Sequence, residues 1–430
     1  MAETGKLGLG AIIAIGVGGM VGGGIFAVLG LAMQVAGHAV WIALGLGGVL
    51  ALLTGLSYAH LGLAFRDDGG SFTYIEHAFS RQAALAGFAG WILVSGYAGT
   101  LALYATAFGS YGQALLGGDH PPGELARSLG VGVVLVFLGI NLLGAKLSGN
   151  AEVLIVGIKM SILLVFAAFG LTSIHTQYVL PVFNLGHAAP FIGAALIFVA
   201  YEGFELIPNA IDEMRDPDRE LRRGLVISIL LTTFAYLLVG VVALGNLTTE
   251  QVARSGEFVL AVAARPTLGQ VGFTAIAIAA LLSTASAINA TLFGSARLAM
   301  VMASEHALPK IFSHRERMRP VPWVAMVALA AVTIAFTLLG NLKIISTFSS
   351  ATFLLIFTAV NLSAIRLSKR IRLHITVPAI AALLSGSSLV TLLWHTWSDD
   401  RASAAAIAAF YLAAIAIETG LVAIKGQRSH

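Results

Sequence analysis

Lys159, Glu202 and Glu205 are ionisable side chains within apolar stretches of this 430-residue chain. Lys159 is about ten residues from either end of the stretch 149–173, roughly 15 Å from each face of a bilayer if that stretch is a helix. A lysine stem reaches only about 6 Å, so snorkelling leaves its ammonium in hydrocarbon. A lysine at the bilayer centre costs about 2.5–3.5 kcal/mol on insertion scales. It must therefore find polar partners or give up its proton. The chemistry on offer is proton exchange or, in the simpler reading, a permanent bond to backbone carbonyls. Partners are expected at Ser283 or Ser286 in the stretch Ala280–Asn289 and at carbonyls of Gly18–Val21, Gly19 and Val21 among them. Small hydroxyls of this kind also serve plain packing.

Two interrupted stretches complete the chemically suggestive set. The first reads Gly16-Val17-Gly18-Gly19-Met20-Val21-Gly22-Gly23-Gly24-Ile25-Phe26, with three consecutive glycines that free the backbone to leave a helix. The second reads Phe198-Val199-Ala200-Tyr201-Glu202-Gly203-Phe204-Glu205-Leu206-Ile207-Pro208, where Pro208 removes a backbone donor and crowds the preceding turn. They lie about 180 residues apart, in matching places of two five-helix blocks, and paired breaks of this kind point to a transport site. Irregular backbone at membrane depth survives only where protein or a polar cavity satisfies it. Close packing of small residues would account for Gly22–Gly24 alone, but not for a second break in register. A half-helix starting after Gly24 offers free N–H groups to a carboxylate, through Gly22, Gly23, Gly24 and Ile25. A half-helix ending near Tyr201 offers free carbonyls to an ammonium. Together they suit an α-amino acid. Tyr201, Gly203 and Phe204 complete the candidate site, the two rings either gating it or simply packing. Glu205 either accepts backbone N–H bonds or relays protons.

The elements that must position these residues are membrane helices. Hydrophobic types make up 58% of the chain and charged types 11%, against about 25% charged in a soluble domain. Mean hydropathy is +0.90. Apolar runs long enough to cross about 30 Å of hydrocarbon recur throughout. Spans are expected at 8–33, 38–65, 83–115, 124–144, 149–173, 187–213, 222–245, 268–303, 321–339, 343–366, 374–394 and 402–424. Of 25 Lys and Arg, nineteen then fall on one side and five (Arg127, Arg254, Arg265, Lys343, Arg401) on the other, with Lys159 between. This positive-inside bias places both termini in the cytoplasm of a multi-pass protein of the cell membrane. One integral membrane domain over 1–430 is expected.

At these residues the chain resembles the amino acid–polyamine–organocation transporter superfamily. Gly22-Gly23-Gly24-Ile25-Phe26 is similar to that family's G-x-G-I-F in helix one. Gly203-Phe204-Glu205 with the loop Asp212–Arg219, and Ser283–Asn289 leading to Arg297 and Leu308-Pro309-Lys310, carry the rest. The resemblance implies an all-α fold with a 5+5 inverted-repeat core (8–366), broken helices one and six, and two added helices (374–424). Lys159 looks like the helix-five lysine of the archaeal-type proton-coupled, broad-specificity amino acid transporters. In that group the ammonium is thought to stand where sodium-coupled relatives bind sodium, which implies proton coupling without sodium. Glu202 is a departure, a second carboxylate beside the break.

Other functions lack their residues. No cysteine is present, which excludes disulfides, thiolate nucleophiles and cysteine-based metal sites. Gly22–Ala27 matches a loose dinucleotide fingerprint without the preceding strand, and Gly139–Lys146 only approaches a P-loop, so no nucleotide is expected. The pI of about 9.4 reflects basic loops rather than a nucleic-acid surface. The eleven histidines show no H-E-x-x-H pair. No cofactor or metal is expected. The expected partners are an amino acid, protons and the lipid bilayer. A proton-coupled symporter is the leading reading. An exchanger on the same fold is the alternative, and a non-transporting receptor or intramembrane enzyme follows further behind.

Overall fold

The computed structural model describes residues 7–66, 69–80, 83–117, 123–144, 149–305, 307–314 and 321–428. Lys6, Arg81, Lys146, Arg315, Arg317 and Arg319, counted above toward one face, lie outside them. Among the described residues the chain is helical with no β-strand. The helices are α1 (Leu9–Met20), α2 (Gly24–Ala36), α3 (Val40–Ala64), α4 (Gly70–Ala78), α5 (Ala83–Gly117), α6 (Glu124–Leu142), α7 (Gly149–Gly170), α8 (Ala189–Leu196), α9 (Pro217–Asn246), α10 (Thr249–Ser255), α11 (Val259–Ser304), α12 (Trp323–Leu339), α13 (Leu342–Arg366), α14 (Ser368–Ile371), α15 (Thr376–Asp399) and α16 (Arg401–Arg428).

Each of the twelve expected spans is met by a helix or a broken pair. Among the described residues, eight helical stretches are long and apolar enough to cross a membrane, and nine if α8 and the turns after it count as one bent span. Leu9–Met20, Trp323–Leu339 and Arg401–Ala416 are shorter apolar helices. The first of these reaches membrane length by continuing through the break into α2. Four local features differ from expectation. The short helices α4 and α10 lie between spans. α9 begins at Pro217 rather than at 222, because Pro217 suits a first helical turn and Asp218 and Glu220 favour its positive end. The expected cytoplasmic loop at Asp212–Arg223 is correspondingly short, although its ion pairs Arg66–Asp218 (2.9 Å) and Arg219–Asp216 (3.6 Å) are present. α11 starts at Val259 and kinks at Gly269, where φ is +60°.

Two helices form the interior. The most apolar window of α5 is 78% buried and that of α13 is 72% buried, against 22% for α15. Leu383, Val390 and Trp394 on α15 and Leu154 and Phe169 on α7 are exposed, as lipid-facing side chains should be. α1 and α3 pack on α9, and α11 packs between α5 and α7. This puts both interrupted spans inside a cage of α3, α5, α9, α11 and α13. Leu7, the first described residue, is tied to the end of span six: its N–H donates to Glu213 O (2.6 Å) and Arg215 N–H donates to Leu7 O (3.0 Å).

Candidate functional site

Both breaks fall where the glycines and Pro208 indicate. α1 ends at Met20, residues 21–23 turn, and α2 starts at Gly24. In span six, α8 stops at Leu196 and the chain bends by 55°. It goes on as short 3-10 turns, Phe198–Tyr201, Phe204–Leu206 and Pro208–Glu213, so the regular half-helix expected to end near Tyr201 ends at Leu196. Proline at 208 and a positive φ at Gly203 (+120°) prevent regular bonding.

The breaks touch backbone to backbone. A Cβ on Gly203 would lie 2.6 Å from the carbonyl carbon of Gly19 and 2.8 Å from the nitrogen of Met20. One on Gly24 would lie 2.6 Å from Ala200 Cα, one on Gly23 2.3 Å from the Tyr104 ring, and one on Gly22 2.7 Å from Ala287 Cβ. Ile25 is fully buried behind them. The start of α2 therefore lies against residue 200 of the other break across a glycine-thin seam. The Tyr236 hydroxyl of α9 spans the same seam, lying 2.6 Å from Met20 O and 2.9 Å from Ala200 O.

Lys159 reaches helix one from α7. Its ammonium donates to Gly18 O (3.2 Å) and Val21 O (3.1 Å), and the residue is 1% exposed. Those carbonyls are left over where α1 ends, so the break itself provides the cation's ligands. Ser283 of α11 donates to the same Val21 carbonyl at 2.5 Å. The serine thus shares an acceptor with the lysine, whereas the expectation had it accept from the ammonium. Gly18 rather than Gly19 supplies the second carbonyl, and Gly19 instead abuts Gly203. Ser286 is half-buried, one turn farther along α11.

Glu202 and Glu205 are buried together, 1% and 2% exposed. Tyr104 donates to Glu202 Oε2 (3.3 Å) and Tyr97 to Glu205 Oε1 (3.4 Å), while Glu205 Oε2 accepts from Gly203 N–H at 2.7 Å. The two carboxyls interact with one another, and neither makes an ion pair among the described residues. Glu205 thus satisfies the N–H of the most distorted glycine in the break. Glu205→Gln keeps an oxygen for that bond. If Glu205 relays protons, gradient-driven uptake falls roughly hundredfold in this variant while equilibrium binding stays within about twofold. Unchanged uptake would leave it only the backbone role, and loss of folded protein would mark it as structural.

Tyr201 and Phe204 are engaged elsewhere. The Tyr201 hydroxyl donates to Leu44 O at 2.6 Å and its ring packs against Gly47 and Tyr236. Phe204 packs on Tyr58 and Phe357. In this conformation both rings fill the interior, and Tyr104, Ala200 and Ala287 are the side chains that meet Gly22–Gly24. Sequence reasoning missed Tyr97, Tyr104 and Tyr236. The first two, with Tyr111, recur every seven residues along α5, which was the available signal.

A family model described as an amino acid permease matches residues 7–418. The chain belongs to the amino acid permease family. The permease is 31% identical over 393 residues to the inner membrane transport protein YbaT of Escherichia coli K12, covering 91% of each chain. It is 26% identical over 349 residues to the serine/threonine exchanger SteT of Bacillus subtilis, covering 78% of this chain and 77% of that one. A crystal structure of the Eremococcus coleocola manganese transporter superposes with a TM-score of 0.59 at 15% identity, covering 96% of this chain and 92% of that one, a likeness of fold alone. The permease is a transporter and not an enzyme, as expected from the superfamily resemblance.

Proposed function

We propose that this permease is a proton-coupled, sodium-independent amino acid symporter of the cell membrane. The observation that carries the reading is the Lys159 ammonium seated on Gly18 O and Val21 O, 3.2 and 3.1 Å away. A bound cation at a broken helix end holds that helix to its neighbours, and here the cation is a side chain that can lose its charge. Protonated Lys159 ties α7 and, through Val21 and Ser283, α11 to helix one. This favours the outward-facing, substrate-accepting state. Once deprotonated, it lets the bundle rock toward the cytoplasm. The substrate carboxylate would sit on the N–H groups opening α2 and its ammonium on carbonyls about Ala200 and Tyr201. Arg215, Arg219, Arg222, Arg223, Arg366, Lys369, Arg370 and Arg372 support a cytoplasmic inner face, with both termini on that side. The single domain is proposed to combine the ten-helix core 8–366 with the added pair 374–424.

One observation favours the exchanger reading: a relative over most of the chain is a serine/threonine exchanger. Uptake of a labelled amino acid panel into empty proteoliposomes separates the two. An inward proton gradient alone should drive accumulation without sodium. Silence until the vesicles are preloaded with amino acid would establish exchange instead.

A further inference from the structure

A polar cavity lies away from the breaks, at the end of the molecule carrying Arg127 and Arg254. Its volume is about 160 Å³, against about 30 Å³ for one water, and Thr106, Ser110, Arg127, Glu257, Thr337 and Asn341 line it. Thr106 and Ser110 stand four residues apart on α5 and so share a face. Both hydroxyls are buried without a hydrogen-bond partner, and Ser110 is 1% exposed. Orphaned hydroxyls are uncommon inside proteins, and two on one face of a helix call for an explanation. The half-buried Glu257, on the turn Gly256–Phe258 between α10 and α11, lines the same cavity. Arg127 offers a guanidinium, held by the exposed Glu124 at 2.8 Å.

The cavity is connected to the broken helix. The carbonyl oxygen of Gly256 lies 2.3 Å from where a Cβ of Gly30 would stand, so the turn bearing Glu257 rests directly on α2. Tyr111, the residue after Ser110 on α5, donates to Phe26 O of α2 at 3.1 Å.

We propose that this cavity is an outer recognition site for a small α-amino acid, its ammonium taken by Glu257, Ser110 and Thr106 and its carboxylate by Arg127. The chemistry fits on each count: a carboxyl with two free hydroxyls for a primary ammonium, and a guanidinium for a carboxylate. Occupation would place substrate against the outer half of helix one before the central site opens. The outward placement rests on the orientation proposed above, while proton coupling plays no part in it.

The test uses the full-length permease and measures KM separately from each face. Intact cells present the outer face and inverted vesicles the inner. The substrate is the amino acid best transported in the panel, and ethylammonium serves as the added probe. In Glu257→Gln the outer-face KM should rise about tenfold, the loss expected on removing a charge-assisted hydrogen bond, with the inner-face KM unchanged. Outer inhibition by ethylammonium should weaken in parallel. Ser110→Ala, a smaller change, should raise the outer KM a few-fold with Vmax retained. An unchanged outer KM in both variants overturns the site. So does an equal rise on both faces, as from a merely structural defect, or a rise confined to inverted vesicles. Failure of proton coupling would show separately, as gradient-independent uptake by the parent.

Discussion

Lys159→Ala should abolish accumulation of amino acid above its outside concentration while leaving the permease folded and able to bind. The variant removes the titratable group that bonds the Gly18 and Val21 carbonyls. Two charge-assisted bonds, each about 1.5–3 kcal/mol, are lost. The desolvation of a buried ammonium is lost with them and offsets much of that cost. Val21 O keeps its bond from Ser283, so helix one retains one tether to α11. Exchange or downhill flux can persist, but it should no longer respond to a proton gradient, and binding should lose most of its pH dependence. Uptake by Lys159→Ala proteoliposomes with and without an inward gradient reads both effects. Accumulation equal to the parent's, or a sodium requirement in the parent, would sink the coupling role.

The second large effect belongs to Gly24. A Cβ there would stand 2.6 Å from Ala200 Cα, a backbone atom that no rotamer change can move aside. Valine must prise helix one from span six and displace the first N–H groups of α2. Overpacking of this kind costs about 1–3 kcal/mol, and a misplaced carboxylate site adds to it, so equilibrium binding should weaken roughly hundredfold or more. Neither break exposes its seam to lipid, so the variant should still insert and purify as a monodisperse protein. Parent-like affinity in Gly24→Val would remove the carboxylate from helix one. Gly23→Val provides a comparison, because its obstacle is the Tyr104 ring, the edge of a side chain that can shift.

Much of this arrangement was legible before any coordinates. Glycine triplets, Pro208 and a lysine in mid-span are rare in apolar helices and costly there, so they stand out against the background. The end of α1 and the carbonyls that receive Lys159 followed from them. What stayed hidden was geometry shared between distant spans. Whether Ser283 donates to a carbonyl or accepts from an ammonium depends on which of two neighbours lies nearer, and helical periodicity says nothing of that. Tyr236 looks like one more aromatic in an apolar run until its hydroxyl is seen between Met20 and Ala200. The assignment of Tyr201 and Phe204 to the site came from adjacency along the chain. In space the 3-10 turns swing their rings toward Leu44 and Phe357. α4 and α10 escaped notice because each is too short to carry a hydrophobic period of its own.

The Tyr236 hydroxyl carries a single hydrogen yet stands within bonding distance of two carbonyls, one from each broken span. At any instant it can serve only one of them. The other then goes without it, at the meeting point of the two broken spans. A guest bearing its own N–H hydrogens removes the competition: it takes the unserved oxygen, and the phenol settles on its rival. The seam thus offers two carbonyls to one hydroxyl hydrogen, and on the function proposed above the substrate's ammonium is the kind of group that brings a second.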